Sequence, residues 1–145
     1  MQTLVYFSNS VQTAFQTSYY PDRFVDIAAD EASAQKRGIR RLRETWKVID
    51  DQIGDNDWVL GKCFSAVDIY LFMLTTWLNP IRGHPSVEEF PNVKRIADAA
   101  MSRPSTQLVY SRWIAERKRQ NPLNLKLIKT CPIRYVGFLI LFNNI

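Results

Sequence analysis

The sequence predicts an all-α fold, a helical bundle of about five or six helices around one buried central helix at about residues 65–78. Three observations carry this. Apolar residues recur at steps of three and four through most of the first 119 positions. No segment before residue 120 alternates with the period of two that a half-buried strand needs. The stretch Phe64-Ser65-Ala66-Val67-Asp68 reads as a helix start. Ser65 and Asp68 take the capping-box positions, with the carboxylate in its shorter form, and Phe64 and Ile69 take those of a hydrophobic staple. Beyond the cap, Leu71, Phe72, Met73, Leu74, Trp77 and Leu78 leave no polar face, so other helices should surround this one. It is too short for the ~20 residues of a membrane crossing.

The first helix is expected over residues 3–20, with Leu4, Phe7, Val11, Ala14, Phe15, Ser18 and Tyr19 on its stripe. Pro21 stops it and pushes Tyr20 out of helical geometry. It starts abruptly, almost at Met1, with no visible cap. A second helix is expected from Asp30 to Ile53, its seam formed by Ile39, Leu42, Trp46, Ile49 and Ile53. Its other face holds Lys36, Arg37, Arg40, Arg41, Arg43 and Lys47. Asp30, Glu31, Glu44, Asp50 and Asp51 interleave with and flank these, which reads as a solvated face rather than a nucleic-acid site. Gly54-Asp55-Asn56-Asp57 closes it with turn chemistry.

Asn79-Pro80 ends the central helix, and a loop containing Gly83, His84 and Pro85 runs to Phe90. Pro91 or Asn92 opens a further helix with Val93, Ile96, Ala97, Ala100 and Met101 on one face. Pro104, suited to a first turn, starts a last one through Leu108, Val109 and Trp113 to about Arg119. The expected domain is therefore 1–119, followed by a basic and apolar tail, 120–145.

Apolar residues are 46% of the 145 and charged residues 23%, an ordinary globular balance. The net charge of +5 lies entirely after residue 115, where six basic residues stand against Glu116. The body is neutral, so the charge gives no footprint for nucleic acid. In the tail, Val136–Phe142 is an uncharged apolar run, too short to span a bilayer. An added strand, a membrane-touching tail and a non-selected ending from a shifted frame or truncated gene are the three readings of it.

Cys63 and Cys131 form no zinc or disulfide spacing, so a reducing, cytoplasmic setting is expected, and no signal peptide precedes the first helix. Lys62 and the helix start beside Cys63 both lower a thiol pKa, which makes a reactive thiol conceivable, but an incidental loop cysteine is the favoured reading. His84, the sole histidine, has no nucleophile motif or metal partner in spacing and reads as a loop residue.

The run Trp58-Val59-Leu60-Gly61-Lys62-Cys63-Phe64-Ser65-Ala66-Val67-Asp68-Ile69 closely resembles the entry to the core helix of glutathione S-transferase C-terminal domains. Arg103-Pro104-Ser105-Thr106-Gln107 is similar to that family's junction into a late helix, and Tyr19-Tyr20-Pro21-Asp22-Arg23 to the end of the first helix in bacterial-type members. The resemblance covers about residues 1–118 and implies the helical bundle of that family's C-terminal type. It further implies that Ser65 and Asp68 are structural, and that Tyr6, Phe7, Ser10, Ala14 and Tyr19, with Trp113 from the last helix, form a wall of the hydrophobic co-substrate site. Ordinary core packing is the alternative for each.

In the family, an N-terminal thioredoxin-like domain binds glutathione and supplies the Tyr, Ser or Cys that stabilises the thiolate. None of those positions matches a residue of this sequence, so no catalytic residue, metal or cofactor is assigned. Glutathione is the co-substrate of the complete enzyme, and this chain is expected to be a truncated helical half, inactive alone. A homodimer or a thioredoxin-like domain is the implied partner, with a small electrophile and neither nucleic acid nor membrane. The alternative is a non-catalytic interaction module of the kind found in translation factors and aminoacyl-tRNA synthetases.

Overall fold

The computed structural model describes residues 2–119, with backbone alone at 113, 114 and 116–119. The tail 120–145, with Cys131 and the apolar run, lies outside the described residues. The chain divides into two units, residues 1–106 and residues from 107 on, taken separately below.

Helix α1 occupies residues 2–19, as Gln2–Tyr6 and Gln12–Tyr19 with a wide π turn, Phe7–Val11, between them. The sequence stripe implied an unbroken α-helix. The π turn takes in one more residue than an α turn would, and Phe7 and Val11, four apart at its two ends, are both wholly buried. The Ser8 hydroxyl donates to the Val5 carbonyl at 3.1 Å beside it. Pro21–Phe24 and Ala28–Asp30 form short 3-10 turns before α2, Glu31–Ile53.

α3, Ala66–Thr75, is shorter than the 65–78 expected. Its last turn tightens, with Trp77 N–H donating to Leu74 O and Leu78 N–H to Thr75 O. It is also not enclosed all round. Ile69 is 47% exposed, and Ala66 lies open beside it, while Leu71, Phe72 and Leu74 are buried. α4, Pro91–Met101, follows, and then α5, Pro104–Arg119, which crosses from the first unit into the second. Among the described residues there is no strand; Trp58 and Gly61 exchange two backbone hydrogen bonds of 2.8 and 3.0 Å in a tight turn.

In the first unit α1 packs on α2, α3 on α4, and α2 on α4. The largest fully buried side chains are Phe7, Val11 and Phe15 of α1, Leu42, Trp46, Ile49 and Ile53 of α2, Leu71, Phe72 and Leu74 of α3, and Val93 and Ile96 of α4. Trp46 stacks on Phe90, centroids 6.3 Å apart. α1 and α2 meet at Gly38. A Cβ there would stand 2.7 Å from the Ser18 nitrogen and 3.0 Å from the Thr17 carbonyl carbon, so backbone meets backbone.

α4 begins with Pro91, and its N-cap residue, Phe90, offers no side-chain acceptor. The acceptor comes from α2 instead. Asp50 Oδ1 accepts from Asn92 N–H at 2.8 Å and Val93 N–H at 2.9 Å, while the Asn92 side-chain amide donates to Asp50 O at 3.2 Å. Asp50 therefore does not belong to the solvated face on which the charge pattern set it. It is 8% exposed and satisfies orphan donors of a helix 42 positions away in sequence. The rest of that face is as expected. Arg40 and Arg41 pair with Glu44, Lys47 with Asp51, and Arg43 with Glu89 at 2.8 Å, all in solvent.

Candidate functional site

The capping residues at the start of α3 form a closely bonded cluster. Val67 N–H donates to Ser65 Oγ at 3.3 Å, and Asp68 Oδ2 accepts from Ser65 N–H at 2.7 Å and from Ser65 Oγ at 3.0 Å. The other oxygen, Oδ1, accepts from Val59 N–H at 2.8 Å, which ties the Trp58–Gly61 turn to the start of α3. Asp68 is wholly buried and both carboxylate oxygens accept hydrogen bonds from the chain, so neither is open to a substrate. A cap of this kind stabilises a helix by about 0.5–2 kcal/mol. Phe64 lies edge-on to Trp58 at 4.9 Å, with the Arg103 guanidinium 3.8 Å from its ring centre. Ile69, its expected staple partner, stands in solvent.

The five wall candidates of α1 do not make one surface. Phe7 and Ala14 are core residues, and Phe7 packs edge-on against Tyr70 at 5.6 Å. Ser10 is half-buried. Tyr6 lines a cavity of about 300 Å³ with Gln2, Thr3, Gln52 and Val59. Burial raises its phenol above the usual 10.0, partly offset by Arg41, so it stays a protonated donor. Tyr19 lies 13 residues further along α1, roughly 20 Å at 1.5 Å per residue. No small electrophile touches both tyrosines in this arrangement. The Trp113 side chain lies outside the described residues.

Tyr19 belongs instead to a second cluster, one that the sequence did not announce. Its hydroxyl donates to Trp77 O at 2.7 Å, and the Arg82 guanidinium lies 4.7 Å from its ring centre. His84 stands edge-on to it at 5.0 Å and to Phe15 at 5.7 Å. His84 is thus no free loop residue: it is 3% exposed. Its Nδ1 accepts from Asn79 N–H at 3.2 Å, and Nε2 lies 2.8 Å from Ser18 Oγ. With Nδ1 accepting, the neutral ring carries its proton on Nε2 and donates it to Ser18. A serine beside a histidine invites a nucleophile–base reading, yet this tautomer gives the serine a proton rather than taking one, and Ser18 is wholly buried. The pair is structural.

Cys63 is exposed. Among the described residues, no three His, Cys, Asp or Glu side chains gather as a metal site, and no helix is long and apolar enough to cross a membrane.

Residues 32–99, from Ala32 in α2 through Ala99 in α4, match the family model described as glutathione S-transferase, C-terminal domain. Over that span the chain is similar to glutathione S-transferase C-terminal domains. The matched span holds the α2 seam, the Asp50 cap of α4, the Ser65–Asp68 cap and the His84 loop. Its fold is also that of a glutathione transferase homolog from Sulfitobacter, solved with bound glutathione, with a TM-score of 0.67 and 18% identity. That alignment covers 77% of this chain and 52% of the other, so the chain spans about half the length of the solved structure it matches. No curated protein matches it. The residues of the matched span that periodicity could not reveal are Gly38, Asp50 and His84. Only for Asp50 was there a local signal, since a helix opened by Phe90-Pro91 needs an acceptor from elsewhere.

Proposed function

We propose that this chain is the helical half of a glutathione-conjugating enzyme, cytoplasmic, and inactive by itself. The observation that carries the reading is the half-length likeness: a C-terminal-domain match over residues 32–99, and 52% coverage of a homolog that holds glutathione. In such chemistry the glutathione thiolate attacks an electrophilic carbon, a sulfur–carbon bond forms, and the leaving group departs with its electron pair. A thioredoxin-like domain, as a separate partner or within a homodimeric assembly, would bind glutathione and lower its thiol pKa with oriented donors. This helical domain would contribute part of the co-substrate wall. Tyr6, the wall candidate at a cavity, is the residue we assign to it, with Ser10 one turn on.

Purified chain is expected to pass through immobilised glutathione without retention and to conjugate no chloro-dinitrobenzene above the spontaneous rate. Retention that free glutathione elutes saturably, or enzymatic turnover, would overturn the assignment.

A second reading, a non-catalytic interaction module, is supported by the apolar side chains on adjoining helices. Leu4 and Val5 of α1 are 38% and 49% exposed, and α1 adjoins the start of α3, where Ile69 is bare, through Phe7 and Tyr70. Such exposure suits a protein partner. Light scattering on the purified chain separates the two. A concentration-dependent dimer that Val5→Lys disperses would favour the module, and a clean monomer that binds no hydrophobic dye would exclude it.

A further inference from the structure

We propose that His84 is a pH-operated latch, which fastens the 79–84 loop to the C-terminal end of α1 as a neutral ring and releases it on protonation. The argument is geometric. The ring is clamped from two sides: Asn79 N–H donates to Nδ1, and Nε2 bonds Ser18 of α1. Both partners are nearly rigid. Asn79 caps the turn Pro80–Arg82 through its Oδ1, which accepts from Ile81 N–H at 3.1 Å. Ser18 lies at the backbone crossing with Gly38. A protonated ring has a donor at each nitrogen. Its Nδ1–H would then face the Asn79 N–H, two donors with no acceptor between them, in a site where water does not reach.

The surrounding groups give the cation little relief. α1 presents Phe15, Ser18 and the Tyr19 phenol, whose proton is committed to Trp77 O. From α2, Gln35 reaches Ser18 O at 3.4 Å, and Ile39 lies beside Gly83. The turn after α3 brings the Trp77 carbonyl, which favours the charged ring, and the loop brings Arg82, a like charge that disfavours it. Burial is the largest influence and, together with Arg82, holds the imidazole below the usual 6.5. The sign follows. A lowered folded-state value means that the latch's stabilisation is whole above 6.5 and is lost as pH falls from there through the folded value.

Because His84 is the only histidine of the 145 residues, its ring signals are unambiguous in a titration of the whole chain by NMR. At neutral pH the ring nitrogens should report the Nε2–H tautomer, with a midpoint below 6.5. Exchange of the Asn79 amide, corrected for intrinsic rate, should rise about tenfold per pH unit from 6.5 down to that midpoint and then level. The amides of Leu42 and Trp46 should not follow. In His84→Gln the Asn79 response should disappear. A ring that titrates at 6.5 or above, an Nδ1–H tautomer, or Asn79 exchange indifferent to the titration would each overturn the latch. Should His84→Gln fail to fold, the unmodified chain decides alone.

Discussion

Replacing Gly38 with alanine is expected to destabilise the domain by about 1–3 kcal/mol, although alanine is the better helix former. Gly38 lies inside the 23-residue helix Glu31–Ile53, where propensity alone predicts a gain of about 0.8–1.0 kcal/mol. Against that stands the added methyl, 2.7 Å from the Ser18 nitrogen and 3.0 Å from the Thr17 carbonyl carbon. Those are backbone atoms, which cannot swing aside as the end of a lysine could. α1 and α2 must separate, and Phe15, Leu42 and the Gln35–Ser18 bond lose fit with them. Urea denaturation decides it. A variant as stable as the parent, or more so, would mean that the helices are not in backbone contact there.

Asp50→Ala is expected to cost about 3 kcal/mol, more than the loss of an ordinary surface cap. The substitution removes the acceptor for two backbone donors at once, Asn92 N–H and Val93 N–H. Val93 is wholly buried, so water cannot take the place of the carboxylate. Asp50→Asn keeps one acceptor oxygen in place and should recover roughly half, since a neutral acceptor bonds about half as strongly as an ionised one. The order parent, Asp50→Asn, Asp50→Ala in denaturation midpoint is the required outcome. Two variants indistinguishable from the parent would remove Asp50 from the account of how α4 starts.

What was legible in the sequence was local or periodic. Pro21, Gly54, Ser65, Asn79-Pro80 and Pro91 each act within a few residues of themselves, and they placed the helix ends to within a few positions. The seam of α2 was readable because burial repeats along a helix. What was not legible depends on residues far apart in sequence. Asp50 looks like a surface carboxylate until α4 arrives over it, and His84 looks like a loop residue until α1 supplies Ser18 from 66 positions away. The wall candidates of α1 point to different surroundings for a related reason. Family position names the helix, but which side chains face a cavity depends on how that helix turns, and α1 turns differently before and after Ser8-Asn9-Ser10.

That wide turn in α1 has a consequence for how the molecule can vary. One surplus residue in a helix of 3.6 residues per turn rotates everything upstream by about 100° about the axis. Gln2–Tyr6 is therefore aimed separately from Gln12–Tyr19, although both ride on one rod. Losing a single residue from Ser8–Ser10 would swing Leu4, Val5 and Tyr6 to new bearings while Ala14, Phe15 and Ser18 kept their seats. The rod works as a dial, whose exposed end can be reset by one codon without disturbing its buried one.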